Sequence, residues 1–489
     1  MVAATAGIDW RAIAQDFAQI VGDRHVVQRR EELLVYECDG LTSYRQRPAL
    51  VVLPRTTEEV AQIIKVCDRH HIPFVARGSG TGLSGGALPL QDSVLIVTAR
   101  MNQILDLDLE NQRVVVQPGV INNWVTQAVS GGGFFYAPDP SSQIICSIGG
   151  NVAENSGGVH CLKYGVTTNH VLGLKIVLPT GNIIDTGSKI PDMPGYDLTG
   201  LFVGSEGTLG IATEITLRIV KAPEAIHVLL ADFTTVEASG QTVSDVISAG
   251  VLPAGMEIMD NFSINAVENV VTTACYPRDA AAILLIELDG LETEVAANSQ
   301  RVEAICRQNG ARSIRTAIDL QERLTLWKGR KAAFAAVGQI SPDYYVQDGV
   351  IPRTQLPYVL REIEALSQQH GYRVANVFHA GDGNLHPLIL YDNAVPGELE
   401  KVEDLGGDIL KLCVAVGGSI SGEHGIGADK RCYMPAMFSE TDMDTMQLVR
   451  QVFDPQRIAN PDKLFPTPRT CGEAARARAQ QHFSDVERY

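Results

Sequence analysis

The sequence predicts an α+β fold in more than one domain, and three observations carry that expectation. Four clusters rich in glycine, serine and asparagine punctuate short apolar runs between residues 77 and 211. After Pro223 the glycines thin out, and strand-like runs alternate with amphipathic helical stretches, the pattern of an α+β domain with a mostly antiparallel sheet. A chain of 489 residues is long enough for two or three domains, each with its own core.

Composition narrows the function classes. A formal charge of −17 argues against nucleic acid or an anionic membrane surface as the main partner. No run of about 18 apolar residues occurs, so no membrane span is expected. Residues 1–9 lack a basic stretch followed by an apolar core, so no secretory signal is expected. The nine cysteines (Cys38, Cys67, Cys146, Cys161, Cys275, Cys306, Cys413, Cys432 and Cys471) are scattered, with none in a C-x-x-C pair. That spacing suits neither a disulfide framework, a zinc ribbon nor an iron–sulfur run, and points to a reduced, cytoplasmic setting.

In chain order, Asp9 can cap a helix over Trp10–Val21, and Thr56-x-x-Glu59 is a capping box before Val60, Ile63, Ile64 and Cys67 at helical spacing. The apolar run Ile72–Ala76 reads as a buried strand, and Arg77-Gly78-Ser79-Gly80-Thr81-Gly82-Leu83-Ser84-Gly85-Gly86 follows it. Five glycines in those ten residues permit positive φ and bring backbone N–H groups close to a ligand, the make-up of an anion cradle. Gly80-x-Gly82-x-x-Gly85 matches the Rossmann fingerprint as a string, but Ala87-Leu-Pro-Leu and the strand Val94–Val97 follow where that fold needs a helix. The loop is therefore read as a strand–loop–strand phosphate cradle. Val114–Val116 is the next strand, broken by Pro118-Gly119.

The later clusters are Tyr136–Ser142 with Pro138, Asp139 and Ser142, then Ser147–Gly158 with Gly149, Gly150, Asn151, Asn155, Ser156 and Gly158. The last is Gly204–Ile211 with Glu206, Gly210 and Ile211, feeding an alternating strand Ile215–Val220. Glycine costs folding entropy, so four such clusters fit a large extended nucleotide lying across several loops better than ordinary turns. The order Pro54, Arg77-Gly-Ser-Gly-Thr-Gly, Pro138-Asp-Pro-Ser-Ser, Gly149-Gly-Asn, Gly204-Ser-Glu-Gly-Thr-Leu-Gly resembles the FAD-binding domain of the vanillyl-alcohol oxidase/p-cresol methylhydroxylase superfamily. The resemblance implies FAD held by Arg77, Gly78, Ser79, Gly80, Thr81, Gly82, Pro138, Asp139, Ser142, Gly149, Gly150, Asn151, Asn155, Ser156, Gly158, Glu206, Gly210 and Ile211. Thr81 stands where some members carry a flavin-linking histidine, which implies a non-covalent flavin. His160 reads as a pocket-wall or core residue.

In the second half, strands are expected at 227–233, 255–259, 282–288 and 374–378, with helices at about 236–249, 292–309 and 355–370. Asp382-Gly383 is a two-residue hairpin signal. With that turn, His379 and His386 face each other across two strands, Cβ atoms about 5 Å apart. The pair then either shares one metal ion or forms two stacked, hydrogen-bonded histidines. Glu423-His424 in the Gly-rich stretch Ser419–Gly427 can complete a His₂–carboxylate set through Glu423, leaving His424 to face substrate.

These motifs, with Tyr36-Glu-Cys-Asp-Gly-Leu41, residues 153–165, Ile340-Ser-Pro-Asp-Tyr-Tyr345 and Arg373–His379, resemble the D-2-hydroxyacid dehydrogenase branch of the superfamily, and most closely the catalytic flavoprotein subunits of bacterial glycolate oxidases. The likeness runs from roughly residue 30 to 465. It implies a divalent metal (Zn, Mn, Co or Fe) on His379, His386 and Glu423, with His424 as catalytic base and Arg330 pairing the substrate carboxylate. Phe334 and Val346 stand where dicarboxylate-oxidising relatives carry polar groups, so the expected substrate is a small 2-hydroxy monocarboxylate. Asn460 belongs to a segment similar to the one returning to the flavin, although Asp462 replaces the usual glycine. The implied partners are a second flavin-domain-like subunit and an iron–sulfur subunit, which would hold the chain at the inner face of the cytoplasmic membrane. A stand-alone D-lactate dehydrogenase and a non-catalytic flavin relay subunit are the competing readings. The expected division is a helical lead-in to 48, an FAD-binding domain 49–223, a substrate domain with the metal site 224–455 and a return segment 456–489.

Overall fold

Helix Trp10–Val21 starts where the Asp9 carboxylate accepts the N–H groups of Arg11 and Ala12, and Ile13, Ala14, Phe17 and Val21 form its buried stripe. Helix Thr57–His70 is capped by Thr56, which accepts from Glu59 N–H, and buries Val60, Ile63, Ile64 and Cys67 as their spacing requires. The Glu59 carboxylate turns back to Arg55 N–H at 2.6 Å, one residue short of the expected box partner. The computed structural model describes residues 7–188, 190 and 194–466, so Cys471 lies outside the described residues.

The chain folds into two units. Among the described residues the first takes 7–157, 166–222 and 423–466; the second takes 158–165 and 223–422. Residues 423–455, expected with the substrate domain, thus cluster with the first unit, and residues 158–165 with the second.

In the first unit a four-stranded sheet runs in the order Val26–Val27, Leu50–Val52, Val94–Val97, Phe74–Arg77, the last three strands parallel. Val94–Val97 is buried along its whole length because neighbours cover it on both faces. Residues 458–460 run along the far edge: Phe74 N–H donates to Ile458 O and Asn460 N–H to Phe74 O, both at 2.8 Å. A second, antiparallel sheet orders Ile104–Asp108, Arg113–Val116, Ile211–Arg218, Val171–Val177 and Ile183–Gly187. In Ile211–Arg218, residues 211, 213, 215 and 217 are buried, the period of a strand with one covered face. It begins four residues earlier than the apolar alternation alone suggested.

The second unit is built on an antiparallel sheet ordered Ser313–Ala317, Ala225–Phe233, Ala282–Gly290, Gly255–Asp260, Val374–His379. Val374–His379 also pairs with Asn384–Leu385 and Pro387–Tyr391, and the latter pairs with Asp343–Val346. Helices Val236–Ser248, Glu292–Gln308 and Leu356–His370 stand where expected. Asn261–Val270 and Leu320–Lys331 are additional; polar and β-branched residues dilute their periodicity, and side-chain caps at Asp260 and Asp319 start them. The segment 158–165 is fixed by charge: Lys163 and Tyr164 bind the Asp289 carboxylate, and His160 Nε2 lies 3.0 Å from Glu287. His160 is therefore a paired residue of this unit.

Candidate active site

The loop Arg77–Gly86 leaves the buried strand Phe74–Arg77 and is shaped by close approach. Gly80 sits at φ +69°, and a Cβ there would strike the Arg77 guanidinium, which folds back to donate to Cys38 O at 2.5 Å. A Cβ on Gly78 would collide with Ser147 Oγ. That hydroxyl caps helix Ile148–Glu154, accepting from Ser79 N–H at 3.3 Å and Gly150 N–H at 3.4 Å, and so ties the first cluster to the third. Gly149 is pressed on Pro118, whose carbonyl takes its N–H at 2.8 Å. Asn155 ends the helix in the left-handed region, its Oδ1 accepting Thr168 N–H, while Ser156 O accepts from Thr167. Pro138 O accepts Asn122 Nδ2 at 3.0 Å, and Ser142 O accepts the N–H groups of Ile145 and Cys146.

The fourth cluster joins through Glu206, a left-handed residue whose N–H donates to Ala153 O and whose carboxylate accepts Ile426 and Gly427 N–H at 2.7 and 2.8 Å. Asn460 closes the ring, Nδ2 donating to Gly86 O at 2.9 Å and to Glu206 O at 2.6 Å. The segment containing it carries Arg457, Asn460, Asp462 and Leu464 at positive φ. Asp462 at +61° explains the departure from glycine, since a short polar side chain tolerates that region best among non-glycines. Of the residues assigned to the cofactor, those from Arg77 to Gly82, Pro138 to Ser156, Glu206 to Ile211 and Asn460 all lie in the first unit. Gly158, at φ +155°, belongs to the second.

Two buried amide atoms on these residues, Asn151 Nδ2 and Asn460 Oδ1, have no protein hydrogen-bond partner. A glycine-shaped cradle with such atoms fits a nucleotide cofactor, whose polar edges would satisfy them. Around it lie buried charges. Burial pushes Asp39 up to about 6, and Glu206 to about 7 despite its two backbone donors. Glu154 is pushed well up, by burial first and by the Glu206 charge second. Lys463, donating to Leu88 O, is pushed down to about 8 by burial.

For a carboxyl whose folded pKa exceeds its unfolded value, stability is present at low pH and falls as pH rises through the folded pKa. The unfolding midpoint is therefore expected to drop between pH 5 and pH 8. Glu154→Gln should flatten that drop by a few degrees by removing one buried carboxyl and its repulsion of Glu206. Parallel melting curves for variant and wild type across this range would refute the assignment.

In the second unit the hairpin differs from the expected one. His379 pairs with Asn384 and Asn376 with Pro387, so the turn is the four residues 380–383, with Gly383 N–H bonded to His379 O. His379 and His386 are diagonal neighbours, not direct opposites. A register shift of two residues keeps both on one face, and their rings meet edge-on with centroids 5.0 Å apart. Both are buried. His379 Nδ1 lies 2.7 Å from Glu257 Oε1, on the strand residue directly across from it.

Arg330, at the end of helix Leu320–Lys331, donates through Nε to Glu257 Oε2 at 2.8 Å, and its Nη2 lies 2.6 Å from the same oxygen at too poor an angle for a second bond. It is a buried, ion-paired arginine, not a helix-surface one. Phe334 meets the His386 ring edge-on at 6.1 Å and belongs with Val346 to one apolar cluster. Asp348, fully buried, accepts Ser421 Oγ at 2.7 Å and Gly422 N–H at 3.1 Å; its Oδ1 is 3.6 Å from His386 Nε2, beyond hydrogen-bond reach.

Glu423 and His424 follow directly on Gly422 and open the last segment of the first unit, with Glu423 Oε1 3.8 Å from His424 Nε2. Sequence reasoning missed Glu257 and Asp348. A lone carboxylate in the otherwise apolar run Gly255–Met259 was the available signal for the first.

A model of the FAD binding domain matches residues 48–187, and one of the C-terminal domain of FAD linked oxidases matches residues 222–464. The glycolate oxidase subunit GlcD of Escherichia coli (strain K12) is 50% identical over 485 residues, 99% of this chain and 97% of that protein. The chain belongs to the FAD-linked oxidases. Among other relatives, a D-lactate dehydrogenase of Anaerostipes hadrus is 33% identical over 86% of the chain and 90% of its own length. The solved structure of p-cresol methylhydroxylase superposes with a TM-score of 0.78 at 17% identity, covering 93% of this chain and 96% of that one. This FAD-linked oxidase thus has the expected α+β fold, a p-cresol methylhydroxylase-type FAD-binding domain with an antiparallel-sheet second domain. Among its described residues no helix is long and apolar enough to cross a membrane.

Proposed function

We propose that this FAD-linked oxidase is the catalytic flavoprotein subunit of a glycolate-oxidising assembly, converting glycolate to glyoxylate. The observation that carries the reading is the buried His379–His386 pair walled by Phe334, in a chain half identical to a glycolate oxidase subunit. Loss of a hydroxyl proton and a Cα hydride turns a 2-hydroxy acid into a 2-oxo acid. When bound, the flavin supplies the hydride acceptor and a divalent metal supplies a Lewis acid for the hydroxyl.

The residues fit such a metal. Two buried imidazoles and a carboxylate are a common donor set for Zn, Mn, Co or Fe, and His379, His386 and Glu423 would hold it. With Nδ1 of His379 committed to Glu257, Nε2 is the ring nitrogen that would hold the metal. His424 takes the hydroxyl proton. Arg330 has five N–H donors, of which Nε serves Glu257, and pairs the substrate carboxylate with the others. Phe334 and Val346 present apolar surface beside His386, which disfavours a second carboxylate on the substrate.

Thr81 leaves the flavin without a covalent link. Electrons leave through a second flavin-domain-like subunit and an iron–sulfur subunit, which also hold the chain at the inner membrane face. The D-lactate dehydrogenase relative favours a second reading, a stand-alone D-2-hydroxyacid dehydrogenase. Anaerobic mixing with glycolate, D-lactate and D-2-hydroxyglutarate separates them. Glycolate is expected to bleach the flavin fastest; faster bleaching by D-lactate would move the function to the second reading, and by D-2-hydroxyglutarate would overturn the apolar-wall argument.

A further inference from the structure

Glu257 is a carboxylate with no solvent exposure on its side chain, lodged in the middle of the second unit's sheet. Burying a charge there is costly unless it is paired, so its partners define its purpose. The two oxygens divide the work. Oε2 takes Arg330 through Nε at 2.8 Å, and Oε1 lies 2.7 Å from His379 Nδ1. Backbone pairing enforces the second contact, because Glu257 and His379 are direct partners in the antiparallel ladder. The first comes from a different element, the last turn of helix Leu320–Lys331.

From this geometry we infer that Glu257 is a positioning residue, which sets the tautomer and ring angle of His379 for metal and anchors the Arg330 guanidinium beside it. With Oε2 taken by Arg330, Oε1 presents a hydrogen-bond acceptor 2.7 Å from His379 Nδ1. His379 must then carry its proton on Nδ1, which leaves the Nε2 lone pair for coordination. One buried carboxylate thereby couples the residue assigned to the metal with the residue assigned to the substrate carboxylate. The inference rests on the metal reading proposed above.

The test uses flavin-loaded protein stripped of metal and titrated with Zn²⁺ against a chromophoric chelator. Wild type is expected to take up one Zn²⁺ per chain at a site lost in His386→Ala. Glu257→Gln should keep its flavin and weaken Zn²⁺ binding about 10–100-fold, with partial recovery in Glu257→Asp. Unchanged Zn²⁺ affinity in Glu257→Gln, with wild-type uptake intact, would sink the role of Glu257 alone. Absence of uptake by wild type would sink the metal reading first and this role with it. If Glu257→Gln fails to fold, ¹⁵N-histidine spectra of wild type decide, the His379 signal being identified by its loss in His379→Gln. An Nδ1–H tautomer is expected; an Nε2–H tautomer would overturn the proposal.

Discussion

Replacing His386 or His379 with alanine should cut turnover about a thousandfold while the purified protein stays yellow. Each imidazole is buried in the second unit, and the residues assigned to the flavin, Gly158 apart, lie in the first, so the two losses should separate. Removing one of the three proposed ligands is expected to empty the proposed metal site. A Lewis acid at a reacting hydroxyl contributes several kcal/mol, and about 4 kcal/mol corresponds to roughly 10³ in rate. Elemental analysis, flavin absorbance and turnover with an artificial acceptor on the same preparations give the three readouts. Active wild-type protein containing no metal would dispose of the argument, as would an alanine variant with full turnover.

What was legible in the sequence was local chemistry. Backbone demands at Gly78, Gly80 and Gly149 are written in the chain because no other residue fits beside Ser147, Arg77 or Pro118. Helix Thr57–His70 could be read because Thr56 and the stripe Val60, Ile63, Ile64 and Cys67 lie within one segment. The turn at Asp382-Gly383 was legible as a turn but not in register. The two-residue template puts 381 opposite 384, whereas Gly383 N–H reaches back to His379 O and the loop takes four residues. The shared face of His379 and His386 survived because an even shift preserves side-chain alternation.

Long-range chemistry was not legible. Glu257 is 122 residues from His379 and 73 from Arg330, and only the sheet and one helix end bring them together. Asp348 grips Ser421 and Gly422 across a similar gap. The segment 158–165 reads as the tail of a glycine cluster, yet Asp289 and Glu287 hold it to the other unit. Propensity and spacing carry no information about such partners.

His424→Ala should lower turnover by about 10²–10⁴-fold with metal and flavin both retained, the usual cost of losing a general base. Two residues before His424, Gly422 is held by Asp348, and two residues after it Ile426 N–H is held by Glu206, with Gly427 N–H on the other carboxylate oxygen. Each anchor is internal to its own unit, Gly422 in the second and Ile426–Gly427 in the first. Gly425, at φ +84°, has no room for a Cβ beside Glu154, so the chain turns here without bulk. The acid limb of the kcat/KM profile should vanish in the variant, and added imidazole should restore part of the rate. Loss of metal together with activity would instead make His424 a ligand, and an acid limb unchanged in the variant would assign the base elsewhere.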